Sequence, residues 1–340
     1  MPTTIADIAR ALGVSKMTVS RAINNHPEIS AETRARILEV ARKMNYRPNQ
    51  YARALTTNRS YLLGIVVPDL MHSYFAEICR GVESIARVAG YQNLICNTDE
   101  EAAKEIEEIE ALLPRTDGLI VASSASPSEI KFYRKIIKED AKIVLIDRRL
   151  EGVNCPMITT DDVAVGLLAT EHLIRIGYSR IGHLRGTLAS TAEGRFEGYK
   201  QALAKHNIPF NPSLVRDCGF TEREGYEAMS AWLKEGGVPS AVFAANDPAA
   251  IGAMGAIMDA GLNIPDDVAL VGGGDIHYGD MLKAPLTTTS WSKIEMGQAA
   301  AQLLIEIIEG KRKQKTQHVI VKPKIIVRES CGATKAVSVK

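Results

Sequence analysis

Lys16, Met17, Ser20 and Arg21 recur at spacings that place them on one face of a short helix, while Val19, Ala22 and Ile23 point the other way. The chemistry open to that face is recognition of base edges. Arginine and lysine donate to guanine O6 and N7, and methionine offers an apolar contact to a thymine methyl. Taken singly, each side chain is equally an ordinary solvated residue on a small helical domain. Together they form a candidate reading surface.

The flanking residues supply what such a face needs to be held. Ile5, Ile8, Ala9 and Leu12 follow the i, i+3, i+4, i+7 spacing of one helix face, and Thr4 with Asp7 forms a possible capping pair. Gly13 provides a turn and Ser15 an N-cap for the second helix. Ser30 opens a third helix with an apolar stripe of Ile37, Val40, Ala41 and Met44, so three short helices enclose one small core. In a helix-turn-helix the second helix enters the major groove through its N-terminal residues, here Lys16 and Met17. The stretch from Asn49 to Arg59 has helix-forming residues but is too short to be stably helical alone in water. Residues 1–60 carry ten Lys and Arg against four Asp and Glu, leaving 31 against 36 for the remainder. The near-neutral whole chain hides a basic start and an acidic body.

Val14-Ser-Lys-Met-Thr-Val-Ser-Arg21, Asn45-Tyr-Arg-Pro-Asn49 and Ala52-Arg-Ala-Leu55 match, in order and spacing, the headpiece of the lactose-repressor (LacI/GalR) family of bacterial transcription regulators, which the start of the chain resembles. The resemblance implies a DNA-binding headpiece over 1–48 and a hinge helix with linker over 49–60. Its DNA-binding set would be Thr4, Ser15, Lys16, Met17, Thr18, Ser20, Arg21, Asn24, Tyr46, Asn49, Ala52, Arg53 and Leu55. In such a hinge Leu55 enters the minor groove as an apolar wedge, unstacking a base step and bending the duplex.

The rest of the chain, 61–340, is long enough for two lobes of ordinary domain size. With no N-terminal apolar run and no stretch of roughly 18 apolar residues, the expected location is the cytoplasm. Cys79, Cys96, Cys155, Cys218 and Cys331 are scattered, odd in number and without zinc or redox spacing, so they read as reduced and mostly buried. Beyond residue 60 short apolar runs alternate with amphipathic helices. Strands are expected at 62–67, 93–96, 118–121 and 142–146, with helices near 75–89, 101–113 and 128–139. A second series places strands at 181–184, 240–244 and 268–271, with helices near 163–176, 193–206, 221–235 and 247–260. The fold class is therefore α/β after an all-α start.

The resemblance runs on through Ile65-Val-Val-Pro-Asp69, Ile146-Asp-Arg148, Arg195-Phe-Glu-Gly-Tyr199, Ala245-Asn-Asp247 and Gly261-Leu-Asn-Ile-Pro-Asp-Asp-Val268, covering essentially the whole chain. It implies two doubly wound parallel-sheet lobes like a periplasmic binding protein, an effector-binding and dimerisation body over 61–340. The first lobe would take about 61–160 plus 291–320, the second about 161–290 plus 321–340. Small molecules bind between such lobes at the carboxyl ends of the strands. The effector-binding set carried over is Asp69, Tyr74, Phe75, Asp147, Arg195, Phe220, Asn246, Asp247, Asp275 and Trp291. It mixes aromatic faces, carboxylate acceptors and a guanidinium fork, suited to a polar ring or sugar. For each aromatic, plain lobe packing is the alternative, and for Arg195 a structural ion pair.

One departure bears on the ligand. After the strand at 268–271 the family commonly has Gly, an aromatic, Asp, then Asp or Asn, whereas here the run is Gly272-Gly-Gly-Asp275. The usual ligand-gripping carboxylate is replaced by Gly274, which strips Arg195 of a counter-charge and suggests a sugar acid or sugar phosphate, with Asp275 as a substitute acceptor for neutral sugars. Other readings are weaker. The triple glycine lacks the spacing and position of a dinucleotide fingerprint. Asp161-Asp162 and Asp266-Asp267 have no nearby histidine or nucleophile and read as helix starts and turns. A solute-binding protein would not need the basic headpiece. The expected function is thus a repressor rather than an enzyme, without cofactor or metal, acting as a homodimer on double-stranded operator DNA under a small-molecule effector. No membrane contact is expected, and a protein corepressor has no sequence support. After Arg328 no leucine heptads predict a tetramerising coil.

Overall fold

The computed structural model describes residues 3–23, 26–46, 54, 57, 59–126, 128–187 and 189–333. It divides into Met1–Ser60 and Tyr61–Lys340.

In the first unit, α1 (Ile5–Leu12), α2 (Lys16–Ile23) and α3 (Ala31–Lys43) enclose a core of Ile8, Ala9, Val19, Ala22, Ile37 and Ala41. Their ends are set by side chains. Thr4 and Asp7 form a reciprocal capping box, and Gly13 closes α1 in the left-handed region at φ 65°. The Ser15 hydroxyl accepts from the Thr18 N–H at 3.0 Å, and Ser30 accepts from the Thr33 N–H at 3.2 Å.

The second unit contains two six-stranded sheets. The first lobe is built from β1 (Leu62–Val67), α4 (Ser73–Val88), β2 (Gln92–Asn97), α5 (Ala102–Leu112), β3 (Gly118–Val121), α6 (Ile130–Lys138), β4 (Ile143–Asp147) and β5 (Met157–Thr160). The second is built from α7 (Asp162–Arg175), β6 (Ile181–Arg185), α8 (Ser190–Lys205), β7 (Val215–Asp217), α9 (Glu222–Glu235), β8 (Ala241–Ala244), α10 (Asp247–Asp259), β9 (Ala269–Gly273) and β10 (Thr287–Ser290). The chain then returns through α11 (Lys293–Ile308) and β11 (His318–Val321) to the first lobe, and ends its third crossing in β12 (Lys324–Ile326) of the second. Strand order is β11-β5-β4-β3-β1-β2 in one sheet and β12-β10-β9-β8-β6-β7 in the other. Among the described residues all pairings are parallel except the antiparallel β10–β12 pair. Central strands such as β1 and β8 are buried on both faces, which explains their unbroken apolar sequence.

Helices α7 and α8 approach unusually closely because each contributes a glycine to the crossing. A methyl group at Gly166 would stand 1.9 Å from the Arg195 carbonyl oxygen, and one at Gly198 would stand 2.0 Å from that of Val163. Gly81 and Gly297 make the same reciprocal contact between α4 and α11. In the second lobe His183 is fully buried, its ring stacked on Phe243 at 4.8 Å and Tyr199 at 5.2 Å, with Nδ1 2.9 Å from the Phe243 carbonyl oxygen. The carbonyl can only accept, so Nδ1 carries the proton of a neutral ring. Burial pushes its pKa down to about 4.

Denaturation measurements test both features. Gly198→Ala should cost about 1–3 kcal/mol in urea denaturation, because the forced separation of α7 from α8 outweighs the helix propensity gained. Gly255→Ala, facing only ordinary contact with Tyr226 at 3.4 Å, should cost nothing. Equal losses at both positions would refute the close-approach argument. For His183, the folded pKa lies below the unfolded 6.5, so its contribution is intact above pH 6.5 and is lost as pH falls towards 4. Relative to His183→Phe, the wild type should lose about 2–3 kcal/mol between pH 7 and 4.5, read from paired denaturation curves.

Candidate functional site

Two surfaces carry chemistry. On the first unit, α2 exposes Lys16, Met17 and Arg21, with Met17 62% accessible. Arg21 Nη1 donates to Glu28 Oε2 at 2.6 Å, but both side chains are exposed, and such a pair is weak enough to exchange for another acceptor. Ser15 and Thr18 hold their hydroxyls 2.8 Å apart at the start of α2, so their first role is to cap it. Thr4 is committed to the α1 capping box, and Tyr46 packs against the helical core. Asn24, Asn49, Ala52, Arg53 and Leu55 lie outside the described residues.

The second surface is a cavity of about 500 Å³ between the lobes of the second unit. The first lobe lines it with Asp69, His72, Tyr74, Phe75, Asp99, Glu100, Ser124, Ser126, Asp147 and Arg148. The second contributes Thr187, Ala189, Thr191, Arg195, Phe220, Thr221, Glu224, Asn246, Gly273 and Gly274, and Trp291 on a crossover completes the wall. Many of these residues follow the carboxyl ends of parallel strands, where loops converge. Asp69, Tyr74, Phe75, Asp147, Arg195, Phe220, Asn246 and Trp291, scattered in sequence from just after β1 to just after β10, are thereby brought together.

Asp247 and Asp275 are not part of this lining. The Asp247 carboxylate is fully buried behind it, accepting from Thr288 Oγ1 at 2.6 Å and the Ile276 N–H at 2.7 Å. That carboxylate also explains Gly272, where a methyl group would stand 2.2 Å from Asp247 Oδ1. Asp275 is held by Arg328 Nη2 and Ser290 Oγ, each at 2.7 Å, and lines a separate recess with Glu77 and Lys293. It therefore does not replace the carboxylate missing at Gly274.

Arg195 is buried at the end of the cleft where α7 meets α8. Its Nε donates to Asp162 Oδ1 at 3.1 Å and its Nη1 to the Ala245 carbonyl at 2.7 Å, and its guanidinium lies 5.4 Å from the Trp291 ring centroid. Arg195 thus has a carboxyl partner after all, in Asp162. Burial raises the Asp162 carboxyl to about 7, with Arg195 pulling the other way. Tyr74 donates its hydroxyl to Asp147 Oδ1 at 2.6 Å, and its ring meets Trp291 edge-on. Asn246 caps α10 through Oδ1 and donates Nδ2 to the Phe220 carbonyl at 2.7 Å, which fixes the Phe220 loop.

Among the cleft residues outside the predicted set, Arg148, Glu100 and His72 carry the most chemistry. Arg148 forks onto Glu100, with both N–O distances 2.6 Å, and sits 5.5 Å from the Phe220 ring across the cleft. His72, which lines the cavity, caps α4 by accepting the Tyr74 N–H at Nδ1, and burial lowers its pKa to about 4, so the ring is neutral with its proton on Nε2. Arg148 stood in a recognised motif without an assigned role. Nothing in the sequence pairs it with the distant Glu100, from which α5, β3, α6 and β4 separate it in the chain.

Both units resemble known proteins. Residues 4–49 match the model for bacterial regulatory proteins of the lacI family, and residues 170–331 match a periplasmic binding protein-like domain. The HTH-type transcriptional regulator DegA of Bacillus subtilis (strain 168) is 33% identical over 333 residues, spanning 97% of this chain and 98% of the relative. A ribose operon repressor of Halalkalibacterium halodurans is 34% identical over 330 residues, spanning 96% and 97%. The lac repressor dimer bound to operator and the anti-inducer ONPF superposes with a TM-score of 0.85 at 26% identity, covering 97% of this chain and 99% of that one. With this identity across nearly its full length, the chain belongs to the lacI family of bacterial regulatory proteins, DNA-binding transcriptional regulators rather than enzymes.

Proposed function

We propose that this protein represses transcription as a homodimer on a pseudo-palindromic operator and that a neutral, hydroxyl-bearing small molecule in the interlobe cleft controls its hold on DNA. The exposed Lys16, Met17 and Arg21 on α2 support the DNA side, since two such helices about one helical turn apart suit a two-fold site. The ligand class rests on one observation: both guanidiniums in the cleft already hold a carboxyl partner, Arg195 in Asp162 and Arg148 in Glu100. A sugar acid or phosphate would compete with these internal carboxylates. Hydroxyls, by contrast, find the Asp69 carboxylate, the His72 ring, the hydroxyls of Thr187 and Thr191 and the Trp291 face. That a relative is named for the ribose operon fits the same class.

Control operates through the lobes. Phe220 over Arg148, and Ser190 Oγ accepting from the Arg149 N–H at 2.8 Å, are contacts made across the cleft. A ligand that favours one lobe arrangement shifts operator affinity only by its differential affinity for the two arrangements.

Two measurements test this reading. Once an operator has been selected from random duplexes, Arg21→Ala should cost about 1–3 kcal/mol there and relax preference at one position per half-site. Equal weakening on operator and random DNA would make Arg21 a phosphate contact instead. In a thermal-shift screen, ribose, glucose or related neutral sugars should raise the melting temperature more than their acids or phosphates. Stabilisation by acids or phosphates alone overturns the ligand class.

A further inference from the structure

We propose that Glu100 is the residue that closes this cleft to anionic ligands, by occupying the Arg148 fork that an incoming phosphate or carboxylate would otherwise take. The inference rests on the effector reading of the cleft and deepens it.

Arg148 is 7% exposed, lines the cavity, and has the planar donor geometry that suits carboxylates and phosphates equally well. Left open, it would select an anion. Instead Glu100 Oε1 and Oε2 accept from Nη2 and Nη1 at 2.6 Å each, and Ser124 Oγ accepts from Nη1 at 3.2 Å. The Nε–H is buried and makes no hydrogen bond among the described residues, with Asp147 Oδ2 as an ion-pair neighbour at 3.8 Å. An anion reaching for the fork must displace Glu100 and then share a lining that also holds Asp69, Asp99, Asp147 and Glu224.

The backbone is bent to deliver this carboxylate. Asp99 and Glu100 are consecutive non-glycine residues at φ 54° and 61°, in the left-handed region that L-residues rarely adopt. The Glu100 N–H is tied to the Pro68 carbonyl at 3.2 Å and the Thr98 N–H to that of Val67 at 3.0 Å, so the loop is held from β1. Strain that persists at a ligand site because its surroundings over-determine it is a recognised mark of function. Burial alone would lift the Glu100 carboxyl, but Arg148 more than offsets this and holds it below the usual range, so it stays ionised.

The test uses the full chain, Glu100→Gln, which keeps the shape, and Glu100→Ala as a second variant. Titration calorimetry at constant ionic strength would compare ribose, glucose, ribose 5-phosphate and inorganic phosphate. Glu100→Gln should bind ribose 5-phosphate about tenfold or more tightly than wild type does. The gain should vanish in the Glu100→Gln, Arg148→Gln double variant. Equal affinity of wild type and both single variants for the two phosphate probes, absence of binding included, overturns the inference. Ribose or glucose binding in that same series leaves the effector reading standing. Conversely, a phosphate gain in Glu100→Gln without any neutral-sugar binding to wild type keeps the inference and overturns that reading.

Discussion

The crossing of α7 and α8 is the contact on which the sensing body depends. Two glycines let the helices meet backbone to backbone, and the first turn of α7 then falls against the first turns of α8. That proximity sets Asp162 beside Arg195, and Arg195 in turn lies over Trp291 on the crossover segment after β10. A bulkier crossing would separate an acid from a base that are both buried. The desolvation of two such charges is tolerated only when their partners are held in place.

The same rule runs through the cleft. Its acids and bases are almost all spoken for internally: Asp147 by Tyr74, Glu100 by Arg148, and Asp247, behind the wall, by Thr288 and the Ile276 N–H. What remains for a ligand is a set of donors and acceptors of low net demand. On the proposed reading, shape and hydrogen-bond geometry, more than charge, decide what fits.

Much of this order was legible in the chain. The caps of α1, α2 and α3 announced themselves through Thr4, Asp7, Ser15 and Ser30 because a cap is local chemistry. The central strands were legible because burial on both faces demands unbroken apolar sequence. Strands β5 and β10 escaped notice because they are rich in threonine. Most of their hydroxyls are buried yet paired, Thr159 with His318, Thr287 with Cys331, and Thr288 with Asp247, so polar residues do the work of apolar ones. Strand β7 is only three residues long. In the cleft, the residue types that follow strand ends were readable, but their pairings were not. Asp162 read as a helix start and is one, yet nothing local points to Arg195, which sits on the next helix. Asp275 seemed a candidate ligand group from its place after β9, and only the fold reveals Arg328 as its partner.

The three passages of the chain between lobes also bear on how the protein comes into being. Helix α11 packs against α4 although the whole second lobe separates them in sequence, and β11 and β12 complete the two sheets last. Contacts of such sequence separation form slowly, whereas the three-helix unit at the start needs only the short stretch from Thr4 to Tyr46. During synthesis the DNA-reading helices can therefore be folded while the first lobe still lacks a layer of its core. Each nascent chain passes through an interval in which it has a reading surface but no finished sensor, and the wait for 293–326 sets the length of that interval.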